Sequence, residues 1–216
     1  MSGPPSNHWQ QLTGTDADAG ARYAARFAGL ATSGADVHGE ARLCASLAPA
    51  GARVLDAGCG TGRVAARLAE LGYLCVGVDA DRSMLAQAQA LPVQVSWLLA
   101  DLAALDTDAP ELGRPFDLVV AAGNVLPLLA DGTHRRVVGT LARLLAPGGL
   151  LVAGFGLDPE HLPLPWAPVD LESYDRWCAD AGLEPRYRFA TWDGDPFDEG
   201  GYAVSVHRRR TGAPPL

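Results

Sequence analysis

One segment constrains this chain more than any other: Val54-Leu-Asp-Ala-Gly-Cys-Gly-Thr-Gly-Arg63, an apolar run ending in glycines at 58, 60 and 62 just before a helical pattern begins. An apolar strand that enters a tight glycine turn and leaves as a helix is the opening crossover of a parallel sheet, and it aims backbone N–H groups at the sheet's mouth. A dinucleotide-binding turn has G-x-G-x-x-G/A, whose last small residue lets the helix pack close to a pyrophosphate. Here the glycines follow G-x-G-x-G and that last position is Arg63. Its bulk argues for a ligand that carries no phosphates on the helix N-terminus.

The rest of the chain continues the alternation expected of an α/β fold with both sheet faces covered. Strands are predicted at 53–57, 74–79, 95–99, 116–121 and 150–155, with helices at 62–71, 82–90 and 133–145. A further helix is expected between the third and fourth strands, where the pattern is poorest. Residues 1 to about 18 read as a polar, mobile lead-in. Two helices follow it: one from Asp18 with Tyr23, Phe27 and Leu30 on one face, and one over 37–47 with Asp36 as its N-cap. Beyond the fifth strand come a loop with four prolines (156–169), a helix at 170–181 closed by Gly182, and two strands, 187–192 and 202–208, that read as an antiparallel hairpin. At 216 residues this is one domain: an N-terminal segment and lid helix (1–35), a main body (36–212) and a short tail (213–216).

Charge narrows the function. The net charge is −8, the wrong sign for tracking a phosphate backbone, so nucleic acid is disfavoured as a partner. All 17 basic residues are Arg, which removes every mechanism built on a lysine Schiff base, a P-loop lysine or a lysine base. The terminal Arg208-Arg209-Arg210 run reads as a solvated strand end. Cys44, Cys59, Cys75 and Cys178 have no metal-ligand spacing and are expected to be reduced and buried, with no metal site. Neither a leader pattern nor a membrane-length apolar run is visible, and the expected location is the cytoplasm.

Three acids follow strands that run toward the glycine turn. Asp79 ends the second strand, where a carboxylate can accept both hydroxyls of a ribose. Asp101 follows the third, placed to accept from an exocyclic amine. Asp56 precedes the first glycine and could hold an ammonium group. Together they describe a nucleoside with an amino-acid tail, although any one alone could be a helix cap or a solvated carboxylate.

In these residues the chain resembles the class I S-adenosylmethionine-dependent methyltransferases from about residue 36 onward. VLDAGCGTG is similar to their first motif, VGVDAD to the second, and LLADL to the adenine-recognition motif. FDLVVAAGNVLPLL and LLAPGGLLVAGF resemble the fourth- and fifth-strand segments. The resemblance implies a Rossmann-like three-layer sandwich with a seven-stranded, mostly parallel sheet of order 3-2-1-4-5-7-6, its last strand antiparallel. It implies S-adenosylmethionine as cofactor and S-adenosylhomocysteine as product. By that similarity Gly58, Gly60 and Gly62, with Asp56 and Cys59, run beneath the methionine part, Asp79 binds the ribose, Ala80 and Met84 flank the adenine, and Asp101 and Leu102 meet its edge. Ala122 to Asn124 would line the methionine and the route to the acceptor.

The methyl donor is already activated, so no universal catalytic residue is required, and the chemistry rests on alignment and exclusion of water. His38, His161 and Asn124 are the candidates for a direct role; His134 and His207 are expected at surface positions. Asn124 begins Asn-Val-Leu-Pro, which lacks the prolines and aromatic of an amine-gripping Asn-Pro-Pro-Tyr motif and reads more readily as a turn residue. Trp9, Tyr23, Phe27, Trp166, Trp192 and Phe197 lie in segments able to close over the strand ends, and the 156–169 loop is expected to wall the acceptor site. The expected reaction is methyl transfer to an O, N or C nucleophile of a small molecule. The alternatives are a protein or RNA methyltransferase, or a binding module without turnover. Oligomeric state is not legible.

Overall fold

The structure, a computed structural model, describes residues 6–14 and 16–212. The expected tail at 213–216 and the first five residues lie outside the described residues. The central strands explain the architecture. In β1 (Arg53–Ala57), β4 (Phe116–Ala121) and β5 (Leu145–Gly156), successive side chains enter opposite apolar layers: Val54, Leu118, Val120 and Val152 on one side, Leu55, Val119, Ala121 and Leu151 on the other. A strand buried on both faces reads as a near-continuous apolar run, which LVVA and LLVA supply; in β1 the run Val54-Leu55 is followed by one buried acid, Asp56.

With β2 (Leu74–Asp79), β3 (Val95–Leu99), β6 (Leu183–Phe189) and β7 (Tyr202–Arg209), these strands form one seven-stranded sheet, order β3-β2-β1-β4-β5-β7-β6. Pairings from β3 through β5 are parallel; β7 is antiparallel to both β5 and β6. The helices are α3 (Gly39–Leu47), α4 (Arg63–Glu70), α5 (Arg82–Gln89), α6 (His134–Leu144) and α7 (Leu171–Asp180), preceded by α1 (His8–Thr13) and α2 (Ala19–Thr32). Helices α6 and α7 cover one face; α3 and α4 cover the other. Strand order reverses between β1 and β4, which opens a crevice at their carboxyl ends.

Several expectations are corrected. The lead-in contains α1, because Asn7 and Gln10 form a reciprocal capping box: Gln10 N donates to Asn7 Oδ1 at 2.8 Å and Asn7 N to Gln10 Oε1 at 3.2 Å. Asp36 does not cap α3; it accepts from His38 N, and the helix starts at Gly39. Between β3 and β4 there are only two 3-10 turns, Leu102–Ala104 and Pro110–Leu112. Strand β6 begins four residues earlier than expected and runs through Pro185 with a register shift, which an edge strand tolerates. His207 is 1% exposed because β7 lies inside the sheet, and His134 is buried against Trp177, so neither is at the surface. All four cysteines are buried and unpaired.

Candidate functional site

The crevice is an open cleft at the carboxyl ends of the strands, lined by the glycine turn, the strand-end acids and residues of the first two helices. Its floor is the turn from β1 into α4. Gly62 is the residue before α4 and has φ +80°; a Cβ there would come within 2.5 Å of the Trp97 ring and 2.9 Å of Ala88 Cβ, so the turn can pack on β3 and α5 only without a side chain. Gly60, at φ +53°, faces the cleft, and a Cβ on it would meet nothing nearer than Met84 Sδ at 3.9 Å.

Each acid sits where a strand ends. Asp79 Oδ2 accepts from Gly60 N at 2.7 Å and Oδ1 from Asp81 N at 2.8 Å, so each oxygen keeps a lone pair for a ligand while the carboxylate ties the glycine turn to the second strand. Burial pushes its pKa up, partly offset by those donors. Asp101 Oδ1 accepts from Ala103 N at 2.8 Å, capping the first 3-10 turn, and its second oxygen has no partner among the described residues. Asp56 is 2% exposed; burial raises its pKa to about 7, against the Ala65 N–H and Arg63. Burial also lifts the Cys59 thiol well above its ordinary range, so it remains a thiol.

The cleft brings together Asp56, Gly58, Cys59, Gly60, Asp79, Ala80, Met84, Asp101, Leu102 and Ala122. Gly62 supports it from beneath. Asn124 does not line it: its Nδ2 donates to His161 O at 3.0 Å and its Oδ1 accepts from Gly156 N at 2.8 Å, tying the loop after β4 to the end of β5. His38 lies exposed ahead of α3, and His161 is held by Asp158 at 2.8 Å; neither reaches the cleft. The 156–169 loop does not wall it either. Its Trp166, 48% exposed, packs edge-on against His8.

The roof comes from α1 and α2. Trp9 Nε1 donates to Asp81 Oδ2 at 2.6 Å, and His8 Nε2 lies 3.1 Å from Asp131 Oδ1, so α1 is fastened on both sides of the cleft. Burial raises the Asp81 pKa, but the donors Trp9 and Ser83 outweigh it and hold the carboxyl below its usual value. Tyr23 packs edge-on to Trp9 and against Phe27, and Arg63, which also lines the cleft, forks onto Glu40 and covers the Phe27 ring. Sequence reasoning placed Trp9 and Tyr23 near the strand ends but missed Asn7, which also lines the cleft. Its signal was the Asn-x-x-Gln capping box.

The arrangement fits a nucleoside with an amino-acid tail: open space over Gly60, two acids with spare lone pairs, and a third, buried acid at the floor. The family described as a methyltransferase domain matches residues 54–149. A solved TehB-like SAM-dependent methyltransferase from Corynebacterium glutamicum superposes with a TM-score of 0.78 at 33% identity, covering 88% of this chain and 98% of that one. Glycine N-methyltransferase of Rattus norvegicus is 36% identical over 114 residues, covering 46% of this chain and 39% of its own length. Trans-aconitate 2-methyltransferase of Azoarcus sp. (strain BH72) is 40% identical over 127 residues, covering 54% and 47% respectively. The chain belongs to the class I S-adenosylmethionine-dependent methyltransferases, and S-adenosylmethionine is their cofactor. It spans less than half the length of the curated relatives it matches. No helix among the described residues is long and apolar enough to cross a membrane.

Proposed function

We propose that this protein transfers the methyl group of S-adenosylmethionine to an O, N or C nucleophile of a small molecule, with 36–212 as the catalytic body and the helices α1 and α2 closing over it. The observation that carries the reading is the strap formed by α1. Anchored by Trp9 to Asp81 and by His8 to Asp131, it crosses the mouth of the cleft, which Asn7 and Trp9 line beside the strand-end acids. Two relatives named for small acceptors, glycine and trans-aconitate, agree with it.

When bound, the cofactor supplies a methyl group already activated on a sulfonium. The chain's part is to hold and align. Asp79 takes the ribose hydroxyls, Asp101 and Leu102 the adenine edge, and Asp56 an ammonium group, while Ala80 and Met84 flank the base. Trp9 and Tyr23 exclude water over the reacting atoms. His38 and His161 have no part in this account, and Asn124 acts by holding the loop after β4. The test is transfer of labelled methyl to a panel of small amines, hydroxy compounds and carboxylic acids, beside protein and RNA pools. Labelling of small molecules alone supports the reading; labelling of protein or RNA alone, or of nothing by a protein that binds the cofactor, overturns it.

A further inference from the structure

The Tyr23 hydroxyl is a polar group in the cleft that the alignment of the cofactor leaves without a task. It faces the carboxyl end of β4: a methyl group built on Gly123 would lie 3.9 Å from it. Gly123 has φ +75° and no side chain, so the space between the hydroxyl and the strand end is open. The phenol is half-buried and lines the cleft, yet among the described residues its oxygen has no hydrogen-bond partner. Its hydrogen-bonding capacity is therefore free for a ligand in the cleft.

The ring cannot easily swing away to find another partner. Trp9 stands edge-on to it at 6.4 Å between centroids, Phe27 packs at 5.0 Å, and Phe27 is itself pinned beneath the Arg63 guanidinium at 4.4 Å. Arg63 is in turn forked onto Glu40. The hydroxyl is therefore held by a packed stack that begins at the first residue of α4 and ends at the strap.

We propose that Tyr23 is the residue that orients the acceptor, its hydroxyl accepting a hydrogen bond from an N–H or O–H nucleophile at the end of β4. The inference rests on the methyltransferase reading of the cleft. It narrows the acceptor class: an amine or a hydroxyl compound can donate to the phenol, whereas a carbon nucleophile or a thioether cannot. Burial raises the pKa of the phenol, against Arg63, so it stays protonated across the neutral range and serves to orient rather than to deprotonate.

The test needs no known acceptor. Sinefungin resembles S-adenosylhomocysteine but carries a primary ammonium on carbon where the methyl-bearing sulfonium would be, so it presents an N–H donor at the point of transfer. Calorimetry would give the affinities of both compounds for the wild type and for Tyr23→Phe, which keeps the ring and its packing; a melting temperature within about 2 °C of wild type confirms an intact fold. The expected result is that wild type prefers sinefungin by about tenfold, that Tyr23→Phe binds S-adenosylhomocysteine within about twofold of wild type, and that the variant loses the preference. A preference equal in the two proteins overturns the role of Tyr23, as does a variant that loses both ligands equally. Failure of the wild type to bind either compound would instead overturn the methyltransferase reading itself.

Discussion

At the scale of single residues, Asp79 and Asp101 hold nearby backbone while keeping acceptor capacity toward the cleft. Asp79 fastens Gly60 and Asp81 while keeping lone pairs for a ribose, so Asp79→Ala should weaken S-adenosylhomocysteine binding by about 1.5–3 kcal/mol, roughly ten- to 150-fold, in calorimetry. Affinity within twofold of wild type would remove the ribose assignment. Asp56 makes a prediction with a sign. Its folded pKa, about 7, lies above its unfolded value, so between about pH 4 and 7 the folded state binds more protons, and stability contributed by the neutral acid is lost as pH rises through that window. Asp56→Asn, which can still accept from Ala65 N, should lose that part of the pH dependence; parallel melting curves of wild type and variant from pH 4 to 7 would contradict it. Gly62→Ala must place a methyl group 2.5 Å from the Trp97 ring at a positive φ, and should cost about 2–5 kcal/mol in denaturant unfolding.

At the scale of elements, the strap and the sheet behave differently. Asn7→Ala removes half of the box that caps α1 and should cost the strap about 1 kcal/mol, seen as faster amide exchange over residues 8–13 and faster release of S-adenosylhomocysteine, with global stability little changed. Unchanged release would mean that α1 does not gate the cleft. The sheet elements were legible in the sequence because their signals are local: β1 to β4 match the predicted bounds, since each is a short, mostly apolar run set off by turn residues. The strap was not, because a six-residue polar helix is held in place by partners 72 and 123 residues away, Asp81 and Asp131. His207 was misplaced for a related reason: only the sheet order, not the local pattern, shows that β7 is covered on both sides. Asn124, read as a turn residue, does hold a left-handed turn at φ 67°, but its side chain reaches backbone 32 and 37 residues on, which no spacing rule displays.

At the scale of the whole molecule, the glycine turn, the three acids and the sheet reversal between β1 and β4 converge on one crevice, and the roof over it comes from the first helices of the chain. The convergence of the three acids was legible because they sit at or next to strand ends, where position in the chain fixes position in space. The way α1 spans the crevice was not, because that helix is placed by packing and by partners far along the chain. The central claim is that this crevice takes a nucleoside with an amino-acid tail and not a dinucleotide. Calorimetric titration with S-adenosylmethionine, S-adenosylhomocysteine and NADH tests it most directly. Micromolar binding of the first two, roughly −8 kcal/mol, with none of the third is the expected result; binding of NADH alone, or of none of the three, would contradict it.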